Sequence, residues 1–330
     1  MVMRKIIFRA DGGPTIGMGH FIRTLALSEM LKDDFYCIFA TQSPTNYQIN
    51  EINIVCHEQI NLPSDETHFD VFLKLLKGNE IVVLDNYFFS TEYQQLIKNK
   101  GCKLVCIDDM HDKYFVADVI INHAEGISKS QYSAKKYTAF CLGYKYALLR
   151  KDYLTSVSDE ILKRYACLVM MGGVDPFNLT AKLISMFEPL KLSLPIAVVV
   201  GAGYSNEHLF KSHTSIELFK GIKSLKVLQL MQESQFGIFP ASTVAIEASA
   251  ARLPFICGYF VDNQKEIYSG IIKNNLAICI GNYLNLEPSD LYKAIEKLNR
   301  KEIAEKIIQK QKSLLDKRSK ERFIKTFKKL

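Results

Sequence analysis

The groups best suited to chemistry lie near the start of the chain, in Asp11-Gly12-Gly13-Pro14-Thr15-Ile16-Gly17-Met18-Gly19-His20. The apolar run Ile6-Ile7-Phe8 before them predicts a strand; Ile22, Leu25, Ala26 and Met30 after them share one helical face. A strand, a glycine-rich turn and a helix start form a corner where backbone N–H groups and the positive helix end point at an anion. A histidine closes this one. Beside a helix N-terminus an imidazolium is disfavoured, so His20 is expected to stay neutral near pH 7 and to accept a proton. Asp11, across the turn, is expected to orient that ring or to bind a substrate hydroxyl.

A second constellation follows the apolar run ending at Pro240. Ser242 and Thr243 offer hydroxyls and backbone N–H groups at a helix start, and Glu247 stands about one turn further along the same face. Such a set suits a nucleoside diphosphate, with donors for the phosphates and a carboxylate for the ribose hydroxyls. The bland alternative is that Ser242 and Thr243 cap the helix while Glu247 is solvated. Asn263 and Gln264 open the next helix with further amides, and Gly172-Gly173 with Asn178 form another glycine turn after Cys167–Met171. Polar residues also stand at other strand ends: Asp85-Asn86-Tyr87, Asp108-Asp109 and Asn122-His123. Singly these are turn or cap residues; together they mark the end of a sheet where an α/β domain places its site.

The elements that must position these groups alternate. Strands are predicted at 5–9, 35–40, 53–56, 81–85, 103–107 and 119–121, then at 167–171, 196–200, 226–228, 236–239, 255–258 and 277–280. Helices are predicted around 21–32, 67–77, 91–99, 178–188, 243–251, 263–274 and 288–299. This is the pattern of βαβ units and parallel sheets covered on both faces. The strand–glycine–helix opening recurs near residue 165, so the expectation is two doubly wound, Rossmann-like domains, 1–152 and 153–330, with the active site in the cleft between them.

Composition narrows the function classes. The chain has 330 residues, 48% hydrophobic and 23% charged, as expected of a globular protein with more than one core. Of its net charge of +7, the segment from Arg300 onward carries +8, so the body is nearly neutral and a nucleic-acid-binding surface is not expected. That basic segment reads as amphipathic helix packed on the body by its apolar stripe; attraction to an anionic membrane surface is the alternative. No apolar run approaches the ~20 residues of a membrane helix, so membrane insertion is not expected. The opening Met1–Ile6 lacks a signal peptide's apolar stretch. The eight scattered cysteines read as reduced thiols, so the expected location is the cytoplasm. No two histidines have the four-residue spacing of a metal pair, and neither metal nor cofactor is inferred.

Arg9-Ala10-Asp11, Ile16-Gly17-Met18-Gly19-His20, Arg23 and Leu25-Ala26 resemble the signature of the UDP-sugar hydrolases of pseudaminic acid biosynthesis. Asp85-Asn86-Tyr87, Ile107-Asp108-Asp109, Gly172-Gly173-x-Asp175-x-x-Asn178-x-Thr180 and Asn263-Gln264 fit that family in order. Its C-terminal half is similar to MurG-type glycosyltransferases. The resemblance implies a GT-B fold with the last helix crossing back to the first domain. It implies a catalytic role for His20, a cleft role for Tyr87, a UDP-binding segment at Ser242, Thr243 and Glu247, and Leu230-Met231 in a loop that cradles uracil through its backbone. Gly17, Gly19, Arg23, Asp108, Asp109, Asn122, Gly172, Gly173, Asn178, Asn263 and Gln264 are the further residues expected to touch substrate. Pro240-Ala241 depart from the family's glycine-rich turn, and Asn86 stands where a histidine is frequent.

The implied reaction releases UDP from UDP-2,4-diacetamido-2,4,6-trideoxy-β-L-altropyranose or a close isomer, His20 acting as general base on water attacking the anomeric carbon, with inversion. A GT-B glycosyltransferase with the same donor site is the competing reading; a UDP-sugar-binding module is another. A nicotinamide-dependent dehydrogenase fits less well, because Gly12-Gly13 and Gly17-x-Gly19 lack G-x-G-x-x-G spacing.

Overall fold

The computed structural model describes residues 3–13, 16–154, 161–173, 175–190, 192–209 and 215–330; Pro14 and Thr15 of the glycine turn, and Val174, lie outside them. The chain divides into two compact units, Met1–Lys151 with Arg318–Leu330, and Asp152–Lys317.

The first unit is built on strands β1 (Lys5–Ala10), β2 (Tyr36–Gln42), β3 (Glu58–Leu62), β4 (Ile81–Asp85), β5 (Lys103–Ile107), β6 (Tyr114–Phe115), β7 (Val119–Asn122), β8 (Ser133–Ala134) and β9 (Ala139–Leu142). Seven of them form a sheet in the order β3-β2-β1-β4-β5-β7-β9, while β6 and β8 pair separately. Every pairing is parallel. Such strands are covered on both faces, which is why Ile6-Ile7-Phe8 of β1 and Ile81-Val82-Val83-Leu84 of β4 read as apolar runs. Strand order reverses between β1 and β4, where Ala10 pairs with Asp85. This topological switch point is where doubly wound sheets bind ligands. Helices α1 (Gly19–Leu31), α2 (Asn46–Val55), α3 (His68–Leu75) and α4 (Thr91–Asn99) connect the strands.

The second unit, entered through the short α5 (Lys151–Leu154), repeats the plan. Its strands are β10 (Tyr165–Val169), β11 (Ile196–Val200), β12 (Ile216–Lys220), β13 (Ser234–Pro240), β14 (Phe255–Tyr259) and β15 (Ile278–Asn282). They lie in the order β12-β11-β10-β13-β14-β15, all parallel, with the switch between β10 and β13. Helices α6 (Leu179–Phe187), α7 (Ser224–Glu233), α8 (Thr243–Ala250), α9 (Lys265–Asn274), α10 (Pro288–Leu298) and α11 (Lys301–Leu314) belong to it.

Two predicted strands are helices. Residues 53–56 fall mostly in α2, which a Thr45–Gln48 capping box nucleates; Ile52 and Val55 turn inward and Ile54 is 66% exposed. Residues 226–228 lie in α7, where Val227, Leu230 and Met231 share a buried face at helical spacing. The strands actually used at these places, β3 and β12, are edge strands with little burial and a weak apolar signal.

The basic C-terminal segment is two helices, α11 and α12 (Ser319–Phe327), with Lys317 between them at φ +60°. The apolar stripe of α12 is used within the first unit. Phe327 packs on Phe35 and Phe323 on Tyr146, ring centroids 6.3 and 5.6 Å apart, and both phenylalanines are fully buried. Burying each ring stabilises the contact by about 1.5–3 kcal/mol. Lys320 and Lys328 reach Asp33 and Asp34 at 2.9 and 2.5 Å, pairs that add little at an exposed surface. No helix among the described residues is long and apolar enough to cross a membrane.

Candidate active site

In the first unit the site is assembled where β1 and β4 end. Gly17, at φ +76°, takes a left-handed conformation that glycine adopts without penalty. The turn closes on itself through Gly13 N–H to Gly17 O at 3.1 Å and Gly17 N–H to Gly13 O at 2.8 Å. α1 then starts at Gly19 with no side-chain cap, so His20 and Arg23, three residues apart, leave its first turn on one face.

Both meet Asp85 at the end of β4. His20 Nδ1 lies 2.7 Å from Asp85 Oδ1. The Arg23 guanidinium grips the same carboxylate edge-on, Nε to Oδ2 at 2.7 Å and Nη2 to Oδ1 at 2.6 Å, and Thr24 Oγ1 donates to Oδ2 at 2.7 Å. The third guanidinium nitrogen, Nη1, donates to Asp109 Oδ2 at 2.7 Å, and Tyr87 OH reaches the same oxygen at 3.5 Å. The Tyr87 ring stands edge-on to the imidazole, centroids 4.6 Å apart and planes at 82°. Asp85 is fully buried and His20 is 5% exposed.

The electrostatics follow from this packing. Burial alone would push the Asp85 carboxyl up; the Arg23 guanidinium and His20 outweigh it and hold Asp85 well below the usual carboxylate range. Desolvation opposes the Arg23 charge, and Asp109 and Asp85 more than restore it. An ionised Asp85 accepts from Nδ1–H, so a neutral His20 ring carries its lone pair on Nε2. Arg23 Nη2, 3.1 Å from Nδ1, is then a neighbour of that bond.

Asp85, not Asp11, therefore orients the ring. Asp11 Oδ1 is occupied by Arg9 Nη1 at 2.5 Å, Gln42 N–H at 2.8 Å and Thr41 Oγ1 at 3.1 Å, a strut tying the ends of β1 and β2 together. Asn86 Nδ2 takes Asp11 Oδ2 at 3.3 Å. Arg23, expected to touch substrate, is buried with its guanidinium on two carboxylates. Asp108 Oδ2 accepts from the backbone of Met110 and His111 at 3.2 and 2.7 Å. Burial pushes its carboxyl up. Asn122 is buried and bonds Tyr132 OH and Ala124 N–H. Of the acidic and amide residues after β5 and β7, Asp109 is the one joined to His20 through Arg23.

In the second unit, Gly172, at φ +97°, follows β10, and Ser242 follows β13. Gly173 lies against Gly201 so closely that a Cβ on Gly201 would sit 1.8 Å from the Gly173 carbonyl oxygen. Asp175 accepts from Leu179 N–H and Thr180 N–H, both at 2.8 Å, and so caps α6. Asn178, at φ +53°, accepts from Asn206 Nδ2. At α8, Ser242 occupies the N-cap position without a side-chain bond to the helix, and Glu247 is 4% exposed. Neither matches the bland reading of a capped helix beside a solvated glutamate. Gln264 Oε1 accepts from Phe260 N–H at 2.9 Å, while Asn263 is exposed. Leu230 and Met231 are not in a loop: both are fully buried in α7, and the loop opening that helix is 221–223.

No protein-family model matches the chain. Among solved structures it is similar to Acinetobacter baumannii MurG, TM-score 0.67 at 12% identity, covering 99% of this chain and 100% of that one. It is also similar to CalG4, the calicheamicin glycosyltransferase, TM-score 0.64 at 13% identity, covering 99% and 98%. The chain has the GT-B fold. In sequence, this GT-B protein is 27% identical over 285 residues to the UDP-2,4-diacetamido-2,4,6-trideoxy-beta-L-altropyranose hydrolase of Campylobacter jejuni, covering 83% of this chain and 98% of that one. The resemblance read from its motifs is thus carried by most of the length.

The cysteines are all free thiols, and burial pushes Cys37 up to about 12 and Cys56 up to about 11, far from a reactive thiolate. Among the described residues no group of three or more His, Cys, Asp or Glu side chains is arranged to hold a metal ion.

Proposed function

We propose that this protein hydrolyses a UDP-linked 2,4-diacetamido-2,4,6-trideoxyhexose, releasing UDP and the free sugar, as a step of pseudaminic acid biosynthesis in the cytoplasm. His20 Nε2 takes a proton from water, whose oxygen forms the new bond to the anomeric carbon. The bond from that carbon to the diphosphate oxygen breaks on the opposite face, so the centre inverts and UDP leaves with the electron pair. The observation that carries this reading is the 2.7 Å contact between His20 Nδ1 and the ionised, buried Asp85, which leaves Nε2 basic. Asp85 is then a positioning residue, Tyr87 binds the sugar or the attacking water, and Asp11 braces the loop.

The second unit binds the leaving group in this proposal. The uncapped start of α8, with Ser242 and Thr243, meets the diphosphate, and the buried Glu247 accepts from the ribose hydroxyls. A diphosphate so held departs without a protein nucleophile. The likeness to a UDP-sugar hydrolase supports the substrate class. The glycosyltransferase neighbours favour a second reading, transfer to an acceptor from the same donor site.

The deciding experiment incubates the protein with UDP-2,4-diacetamido-trideoxyhexoses, no acceptor added, and follows UDP and the free sugar anomer by NMR. Hydrolysis with inversion is expected. His20→Asn is expected to cut turnover by roughly 10²–10⁴, the range of general base catalysis, with UDP affinity nearly intact. Release of UDP only in the presence of an acceptor would establish the transferase instead.

A further inference from the structure

We infer that Arg23 is a positioning residue that clamps the base pair His20–Asp85 and the Tyr87–Asp109 pair into one rigid unit. The inference rests on the hydrolase reading for its kinetic arm alone.

A guanidinium is a planar fork, and here each side of the fork has its own carboxylate. The Nε/Nη2 edge lies on Asp85 at 2.7 and 2.6 Å, and Nη1 lies on Asp109 at 2.7 Å. These aspartates follow different strands, Asp85 ending β4 and Asp109 just beyond β5, while Arg23 comes from α1. Three elements are thereby fixed relative to one another at the sheet's switch point. His20, on the same helical face as Arg23, takes the carboxylate that the fork has already oriented. Tyr87 touches both sides, its hydroxyl 3.5 Å from Asp109 and its ring 4.6 Å from the imidazole. Removing the fork leaves Asp85 held by Thr24 Oγ1 and His20 alone and breaks the link between Asp85 and Asp109, so that the Tyr87 hydroxyl is no longer tied to the base. A lysine keeps the charge but presents one nitrogen, so it reaches one carboxylate edge and not both.

The test uses the full chain with ¹⁵N-labelled histidine, the His20 ring signals being assigned by their loss in His20→Asn. Wild type is expected to show one tautomer, with Nδ1 protonated. In Arg23→Lys the ring is expected to average between tautomers, and kcat to fall by about 10–100-fold with KM changed less than about twofold, the scale of lost orientation of a functional group. Should Arg23→Lys fail to fold, Asp109→Asn leaves the Asp85 edge intact and tests the other arm. There Tyr87→Phe is expected to lower kcat by a much smaller factor than it does in wild type.

A wild-type ring spectrum and kcat in Arg23→Lys would overturn the clamp, as would strictly multiplicative effects of Asp109→Asn and Tyr87→Phe. A raised KM with unchanged kcat in Arg23→Lys would return Arg23 to substrate binding. If wild type releases no UDP, the hydrolase reading fails, and the ring spectra still decide the clamp.

Discussion

Asp85→Asn is the sharpest perturbation of the proposed base, because it changes almost no volume while altering what the side chain can accept. The carboxylate has four contacts within 2.7 Å: His20 Nδ1, two nitrogens of Arg23, and Thr24 Oγ1. An amide has one acceptor oxygen. If that oxygen stays with Arg23 and Thr24, the amide nitrogen faces His20 and donates to Nδ1, which moves the ring proton to Nε2. The ring then has no lone pair to offer to water. The loss is bounded by the whole of the base's contribution, ~10²–10⁴-fold or about 2.7–5.4 kcal/mol at 1.36 kcal/mol per tenfold. The analogous swap in the serine-protease triad costs about 10⁴ through the same tautomer error. The fold also weakens, since Arg23 keeps its burial and loses a charged partner. Breaking a buried pair costs about 3–5 kcal/mol at most, against a total stability of about 5–15. The assay is UDP release over a pH series together with urea unfolding, and UDP binding is measured separately by calorimetry. A variant that folds, binds UDP and hydrolyses within threefold of wild type would refute the tautomer argument.

Three further outcomes are expected. Glu247→Gln should weaken UDP binding by about 10–100-fold, the worth of charge-assisted hydrogen bonds, and leave kcat at saturation little changed; unaltered affinity in calorimetry would remove Glu247 from the ribose site. Gly201→Ala places a Cβ 1.8 Å from the Gly173 carbonyl oxygen, so backbone must move. A loss of about 1–3 kcal/mol is expected from such overpacking, read as a lower Tm in calorimetry, and a wild-type Tm would contradict the close approach. Burial and then the neighbouring Arg23 charge push the His123 imidazole down to about 3. As pH falls below the ordinary value of about 6.5, the unfolded chain gains a proton that the folded chain refuses. Stability supplied by neutral His123 is therefore present above that value and lost on descent towards pH 3. His123→Asn should make the stability curve between pH 6 and 4 shallower by about 1.4 kcal/mol per pH unit, measured by urea unfolding, and an unchanged slope would place the titration elsewhere.

Local chemistry was legible where a short window carries it. The glycine turn before His20 announces itself by composition, and Ile81–Asp85 and Lys103–Ile107 read as strands residue for residue because parallel strands covered on both faces are unbroken apolar runs. α2 and α7 were illegible to a short window, since Ile52-Asn53-Ile54-Val55 alternates like a strand until the Thr45–Gln48 box is weighed. Asp85 was visible at a strand end, but its partner was not. The sequence places Asp11 nine residues from His20 and Asp85 sixty-five away, and only the parallel pairing of β1 with β4 brings the distant carboxylate under the ring. Arg23 three residues after His20 was the available signal, because a helix that presents both on one face needs an anion between them.

The second unit poses the same problem in a different form. Two helices start at its switch region, α6 after Gly172-Gly173 and α8 after Ser242, and by sequence either could receive a diphosphate. What separates them is the cap. The carboxylate of Asp175 already accepts from the backbone of Leu179 and Thr180, so the start of α6 is neutralised and would repel a phosphate. Ser242 extends no such bond to α8. The glycine that lets the two loops touch is Gly201, where a Cβ would meet the Gly173 carbonyl oxygen, whereas a Cβ on Gly172 or Gly173 would meet nothing within 4 Å. A helix start donates to whatever acceptor is nearest, and in α6 that acceptor is built in. The proposed leaving-group site therefore falls to α8, and with it the requirement that Glu247, one turn further on, be buried rather than solvated.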